Sequence, residues 1–289
     1  MATYLTQLFP ELASVPKQQG NSIDYCAFSC PYEELAFASD DGDEYKNDFA
    51  SIMLKKASPN DTISFELYKA GTKVADLNDN TFGTYYPTFD QYPLQTGFVL
   101  EWSQVLNAFG GGLYDIRAQL DLLGEQSTFQ SRCYRLMSFS DEAANDTARV
   151  KWTQDGKVQR SELDFTGLQF PFMIRVSGFI LAQTPEIEAN SYQDSNRQVK
   201  QVQDKITQNW SLEIKGVPYQ ITKAIVENLA LANGIVADDY NYLNHDLYRG
   251  LELIFDSFDE AKYFISRDRL AVYRIRLKDR FDNLIKSNN

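Results

Sequence analysis

The clearest alternation of apolar and polar side chains lies in residues 98–123. In the second half of this stretch, one set of alternate positions is apolar and the other polar: Tyr114, Ile116, Ala118, Leu120 and Leu122 against Asp115, Arg117, Gln119 and Asp121. A period of two predicts a strand with one buried and one exposed face. The first half predicts another strand, then a short helix that begins at Ser103 and ends at Gly110. The stretch therefore predicts part of an antiparallel sheet.

The same period recurs along the chain between turn residues. It predicts strands at 62–68, 74–77, 133–139, 148–153, 157–162, 206–214, 251–255 and 273–277. The strongly apolar run 168–182, interrupted by Pro171 and Gly178, predicts a buried strand that bends. Asp155 and Gly156 predict a tight hairpin between 148–153 and 157–162, because this dipeptide accepts positive φ. A longer helix is predicted near 219–232, where apolar residues recur at helical spacing. Strands therefore predominate.

These elements predict a mainly β protein made of two β-sandwich-like antiparallel domains with a few short helices. A polar turn near residue 145 separates a first β-rich domain, 23–145, from a second, 146–289. Residues 1–22 hold two prolines among scattered apolar side chains and are predicted to form an N-terminal arm. Residues 184–205 are poor in large apolar side chains and are predicted to be a long projecting loop inserted in the second domain.

Charge, hydropathy and cysteine content limit the partners and the cellular compartment that can be expected for this chain. The chain has 40 acidic and 28 basic residues and a net charge of −12, which repels phosphate backbones, so no specific nucleic-acid binding is expected. No window is apolar for long enough to span a bilayer, and synthesis in a cytoplasm is expected. The three cysteines, an odd number without repeated spacing, are predicted to be reduced and mostly buried.

Candidate catalytic residues are few. His245 is the single histidine, and its polar neighbours favour a hydrogen-bonding loop residue over a general base. The glycines at 110–112 follow a helix, whereas a phosphate-binding loop precedes one. Paired carboxylates for glycoside hydrolysis depend on separation in space, and no aromatic-flanked pair stands out. The chain is therefore predicted not to be an enzyme and to need no cofactor.

Two groups of residues have side chains of the types that bind metals. Cys26, Cys30, Cys133 and His245 have the right residue types for structural zinc, but only one close pair exists where two are usual, which favours buried thiols. The acidic residues of 40–44 lack the spacing of a calcium-binding loop, which favours a solvated turn. No metal is expected.

Charge is distributed unevenly between two regions. Residues 262–280 hold seven basic side chains and two acids, whereas residues 33–48 hold seven acids and one lysine. Both regions fit solvated faces, or they attract head to tail between neighbouring copies, as a ring requires. The candidate partner-binding residues are Leu5, Leu8 and Phe9 of the arm, Tyr192, Val199 and Val202 of the loop, and Arg274 and Arg276 of the basic region.

Three stretches together resemble virion structural proteins of tailed bacteriophages with Bacteroidota hosts, the crAss-like podoviruses nearest among them. They are FVLEWSQVLNAFGGGLYDIRAQ, DTARVKWTQDG and NWSLEIKGVPYQITKAIVENLALANGIVADDYNYLNHDLY. The resemblance implies a subunit of the neck, tail or baseplate, commonly a ring of identical copies in contact with other tail or neck proteins. It implies location in the virion and brings no catalytic residues.

Two other classes of function stay open. A carbohydrate- or receptor-binding module is favoured by the aromatic residues of one predicted loop, Tyr85, Tyr86, Phe89 and Tyr92, because such rings stack on sugars. A hydrolase is disfavoured, because the sequence lacks a recognisable nucleophile and base.

Overall fold

The computed structural model of the chain describes residues 13–14, 33–56, 58–122, 125–156, 158–159, 163–193, 195, 197, 199–242, 248–259, 270–280 and 283–286. Most of these residues lie in antiparallel strands, so the predicted mainly β fold is confirmed. Three helices lie in this part of the chain: α1 Trp102–Phe109, α2 Asp141–Ala144 and α3 Tyr219–Ala230.

Two sheets make up the N-terminal part. The larger contains β1 Ala13–Ser14, β2 Glu33–Ala38, β4 Thr62–Lys69, β5 Thr72–Asp76, β8 Gly112–Leu122, β9 Glu125–Gln130 and β10 Cys133–Ser138. Its order is β1–β9–β8–β10–β2, with β4 pairing β8 and β5, and only the β10–β2 pair is parallel. The smaller contains β3 Phe49–Lys55, β6 Gly83–Tyr86 and β7 Gln95–Glu101, in the order β3–β7–β6.

The core between these two sheets follows the predicted alternation. Strands β4, β7 and β8 bury their apolar positions: Ile63, Phe65, Leu67, Phe98, Leu100, Tyr114, Ile116 and Ala118. Helix α1 ends at Gly110, which has φ 72°, as predicted. The prediction that Asp115 faces water is wrong, because this carboxylate is fully buried against the Arg117 side chain at 2.7 Å. The ion pair with Arg117 thus allows the charged side chain of Asp115 to be buried.

Six strands of the C-terminal part close into a barrel. They are β11 Thr147–Thr153, β14 Phe172–Ala182, β17 Asn209–Pro218, β18 Gly234–Asp239, β19 Leu251–Asp259 and β20 Leu270–Asp279. Their order is β11–β14–β17–β20–β19–β18, and β18 pairs β11 to complete the circle. The interior holds apolar side chains such as Val150, Ile174 and Leu212, and α3 adds Ile225 and Leu229. The sequence pattern predicted the strands but not their closure.

The hairpin predicted around Asp155 and Gly156 is wrong. Gly156 does have φ 73°, but β11 pairs β14 and β18 instead of the residues that follow the turn. Two short strands, β12 Val158–Gln159 and β13 Leu163–Asp164, pair with each other there. Because barrel closure occupies both edges of β11, no edge is left for a local hairpin.

Gly178 marks a close approach between two barrel strands. A Cβ at this position would lie 2.0 Å from the backbone oxygen of Glu213 on β17, closer than any real contact. The two backbones therefore pack so closely at this glycine that no side chain fits.

Most described residues of 184–205 lie in strands, not in the projecting loop that their composition predicts. Strand β15 Glu186–Gln193 pairs β16 Val199–Thr207, which also pairs β21 Asn283–Lys286. This three-stranded sheet, called the ribbon below, follows directly on barrel strands β14 and β17. Backbone hydrogen bonds to neighbouring strands stabilise polar strands without apolar alternation, and such pairing is invisible in composition.

Strand β3 and the small sheet lie between two cores. Met53 belongs to the barrel cluster of buried side chains, whereas Ile52 and Leu54 belong to the N-terminal cluster. A strand buried on both faces lacks alternation, which explains why the sequence pattern missed β3. The division of the chain near residue 145 stays a prediction, although most residues of the two large clusters fall on either side of it.

Candidate functional site

The densest group of buried charges lies where the N-terminal part meets the barrel. Arg149 on β11 and Arg175 on β14 are directly opposite each other in the ladder, and both are at most 1% exposed. Asp48, next to β3, accepts hydrogen bonds from Nε of Arg175 at 2.7 Å and from Nη2 at 2.8 Å. Its Oδ1 also lies 3.5 Å from Nη1 of Arg149. One carboxylate thus offsets the repulsion between two facing guanidinium groups.

Arg149 also joins the barrel to the segment before β3. Its Nε donates to Asp238 on β18 at 2.9 Å, and its Nη1 donates to the backbone oxygens of Glu44 and Asn47, both at 2.9 Å. Asp238 in turn accepts from the backbone N–H of Gly250 at 2.8 Å. This arginine therefore links two barrel strands with residues more than 100 positions earlier in the chain.

Glu34 on β2 forms the other edge of the cluster. Its Oε1 accepts from the backbone N–H of Arg175 at 2.9 Å, and its Oε2 accepts from the side chain of Arg132. Burial raises the pKa of Glu34 above its ordinary value, and the positive charge of Arg132 opposes that rise. Strands β2 and β14 are thereby joined by a hydrogen bond that the neighbouring arginine supports.

Tyr240 closes the cluster on the side of the short helix α2. The guanidinium carbons of Arg175 and Arg249 lie 4.3 and 4.2 Å from the centre of its ring, and its hydroxyl donates to the backbone oxygen of Tyr45. Burial raises the pKa of the Tyr240 hydroxyl. Stacked cations and a buried phenol are common in well-packed structural sites.

We call these residues the buried ion cluster: Glu34, Asp48, Arg132, Arg149, Arg175, Asp238 and Tyr240. Each is at most 6% exposed, so no substrate reaches its charged atoms. Its chemistry is that of a structural lock, because breaking one pair leaves another charge buried. No sequence pattern predicted this cluster. The sequence feature that could have indicated the cluster is Arg175, a single arginine within the apolar strand FMIRVSGFILA.

The predicted partner-binding arginines lie on the outer face of the barrel. Arg274 pairs with Glu213 at 2.5 Å and Arg276 with Asp259 at 2.7 Å, all within the same chain. The charges proposed for head-to-tail attraction thus have intrachain partners. Tyr192, Val199 and Val202 fall in the ribbon strands, and Leu5, Leu8 and Phe9 lie outside the described residues.

The two candidate metal sites fall only partly within the described residues. Lys46 lies 2.5 Å from Asp41 and 3.6 Å from Asp43, so these two carboxylates pair with a lysine of the same loop. Cys133 is buried, while Cys26, Cys30 and His245 lie outside the described residues. Within the part of the chain that the structure describes, no three potential metal ligands come together.

The aromatic residues that favoured a carbohydrate-binding module are used in packing. Tyr86 stacks on Phe89 with ring centres 5.2 Å apart, and both contact Phe170 edge-on. Tyr85 packs against Phe65 of the N-terminal core, and the Tyr92 hydroxyl donates to the backbone oxygen of Thr166 at 2.9 Å. These rings join the small sheet to both cores instead of forming an open platform for a sugar.

Two of the surface clefts among the described residues are lined by barrel strands. The first, of about 400 Å³, is at the base of the ribbon and is lined by paired charges that include Arg276, Lys278, Glu186 and Asp256. The second, of about 430 Å³, lies beside Phe49 and is lined by Lys151, Asp155 and Arg280 among others. In the first cleft Lys278 lies 3.1 Å from Asp256, and in the second Arg280 lies 3.4 Å from Glu252.

The sequence was compared with protein-family models and with curated proteins. No protein-family model and no curated protein matches this sequence. Among the described residues, none of the helices has the length and apolar character needed to cross a membrane.

Proposed function

We propose that this chain is a structural subunit of a bacteriophage virion, in the neck, tail or baseplate, and that it assembles with copies of itself into a ring. The observation that carries the proposal is the exposure of the first residues of β15, at the base of the ribbon. Glu186, Ile187 and Glu188 point alternately to its two faces, yet all three are exposed, Ile187 by 63%. A strand with both faces uncovered buries little of its own surface, and a neighbouring subunit supplies what is missing.

The remaining architecture suits this role. The ribbon spans eight residues of β15, which corresponds to roughly 26 Å of strand beyond the barrel. The buried ion cluster holds the barrel against the N-terminal sheets, so the ribbon projects from a stiff base. An extended strand on a rigid body is the arrangement that strand addition between subunits requires. Other tail or neck proteins are the remaining expected partners.

The experiment measures the mass of the purified protein across concentration, alone and with the products of neighbouring genes. A closed oligomer is expected. Replacing the exposed Ile187→Glu should weaken association by about tenfold or more, because an unpaired charge would be buried at the contact. Val272→Glu is the matched control, since Val272 is 52% exposed on the barrel, away from the ribbon. Deleting residues 1–20 should abolish the ring if the arm anchors it.

Two outcomes would contradict the proposal. The first is a protein that stays monomeric at every concentration, both alone and with neighbouring gene products. The second is turnover of a polysaccharide or peptide, which would favour the hydrolase that the sequence disfavours.

A further inference from the structure

Lys151 is a half-buried cation on the surface of the barrel. It lies on β11 on the same face as Arg149 and lines the cleft beside Phe49. Within the described residues its ammonium group makes no hydrogen bond and no ion pair. Burial, followed by the positive charge of Arg149, lowers the pKa of Lys151, although Asp238, Glu44 and Asp48 oppose this. A half-buried cation without a partner is stabilised by any anion that binds beside it.

A second cation lines the same cleft. The guanidinium of Arg280 lies directly over Gly234, where a Cβ would be 3.1 Å from Nη1, so this glycine leaves room for the arginine. Its ion pair with Glu252 is long, 3.4 Å, and both side chains are about half exposed. Arginine and lysine together provide several donors for a carboxylate.

The one carboxylate of this cleft is already engaged. Asp155 accepts from the backbone N–H of Gly167 at 2.6 Å and from the Gln169 amide at 3.4 Å, and its backbone oxygen accepts from Asn233. These contacts hold Asp155 in its loop and leave Lys151 without a hydrogen-bonded acid among the described residues. The remaining lining residues include the apolar side chains Phe49, Pro171 and Val236.

We propose that this cleft binds a carboxylate carried on an apolar body, with Lys151 and Arg280 contacting the carboxylate and Phe49 contacting the apolar part. Inorganic phosphate and acetate are disfavoured, because these small anions would leave the apolar side chains of the cleft in contact with water. Two sources supply this chemistry: a free aryl or alkyl carboxylic acid, and an acidic side chain of a partner polypeptide next to an apolar residue. The proposal does not depend on ring formation.

The test uses trace acetylation of lysines on the full chain, read residue by residue by mass spectrometry. The probes are 3-phenylpropionate, the capped dipeptide acetyl-Phe-Glu-amide, acetate and inorganic phosphate. The first two should protect Lys151 at about tenfold lower concentration than the last two, because a ring is buried with the carboxylate. Lys223, exposed on α3, serves as the internal control and should react equally throughout.

The two active probes distinguish the sources. Protection by the dipeptide alone would assign the site to a polypeptide partner, protection by 3-phenylpropionate alone to a free acid, and each result supports the site. Arg280→Gln should raise the half-protecting concentration by about fivefold or more, since one donor group is lost. Equal protection by all four anions, or no protection of Lys151, would overturn the proposal in the unmodified protein, whatever the variant does.

Discussion

Two groups of arginine–carboxylate pairs differ in burial and therefore in what they do. In the buried ion cluster, Arg175 and Asp48 have fully buried side chains. On β20, Arg274 and Arg276 are 49% and 55% exposed and pair with acids on the neighbouring strands. The residue types are the same in both groups. Water solvates one group and is excluded from the other, and this decides how much each pair matters for stability.

The comparison shows which charges hold the molecule together. Exposed pairs contribute about 0–1 kcal/mol, because water competes for both partners and salt screens them. Removing one partner of a buried pair costs about 3–5 kcal/mol, because the other charge stays buried without compensation. The buried ion cluster therefore determines how the N-terminal sheets sit against the barrel, whereas the β20 pairs mainly keep an outer face polar.

The largest expected effect is that of Arg175→Met. It removes both guanidinium contacts to Asp48 and leaves that carboxylate with the backbone N–H of Phe37 and the distant Arg149. We expect the free energy of unfolding, measured by urea titration, to fall by about 3–5 kcal/mol. The matched control, Arg274→Met, should cost less than about 1 kcal/mol. Equal losses in the two variants would contradict the comparison.

An intermediate effect is expected from Glu34→Gln, and it depends on pH. Because burial raises the pKa of Glu34 above 4.5, the folded protein binds this proton more tightly than the unfolded chain does. The resulting stability is fully present below about pH 4.5 and is lost as pH rises through the folded pKa, by up to about 1.4 kcal/mol per pH unit. The wild type should lose stability relative to the variant in that window.

Measurement of unfolding free energies from pH 4 to pH 8, for the wild type and Glu34→Gln, isolates this contribution as a difference. A difference that stays constant with pH would mean that Arg132 keeps Glu34 ionised and that burial does not dominate.

The smallest effect is expected when Arg274 and Arg276 are both changed to Glu. Each new carboxylate faces an acid, Glu213 or Asp259, but the groups are exposed, so the free energy of unfolding should fall by about 1 kcal/mol. The loss should largely vanish near 1 M salt, where the screening length is about 3 Å. If the same face also contacts a neighbouring copy, ring assembly should weaken mainly at low salt. A salt-independent loss would contradict the screening argument.

The alternation of apolar and polar residues predicted strands that have one face exposed to water. The alternation in 62–68 and 273–277 identified β4 and β20, and the helical spacing near 219–232 identified α3. It failed where a strand is buried on both faces, as in β3, and where strands are polar, as in the ribbon. The candidate site was missed for a related reason: Arg149 occupies an outward-facing position that only the packing of residues 44–48 against the barrel buries.

The sequence by itself thus determined strands with one exposed face, such as β4 and β20, the helix α3 and the glycine that ends α1, because these depend on neighbours within a few residues. Tertiary structure alone decided the closure of β18 on β11, the pairing of Arg175 with Asp48 from 127 positions away, and the neighbours of Lys151 in its cleft. Those features depend on which distant segments exclude water from each other, and no local period encodes that.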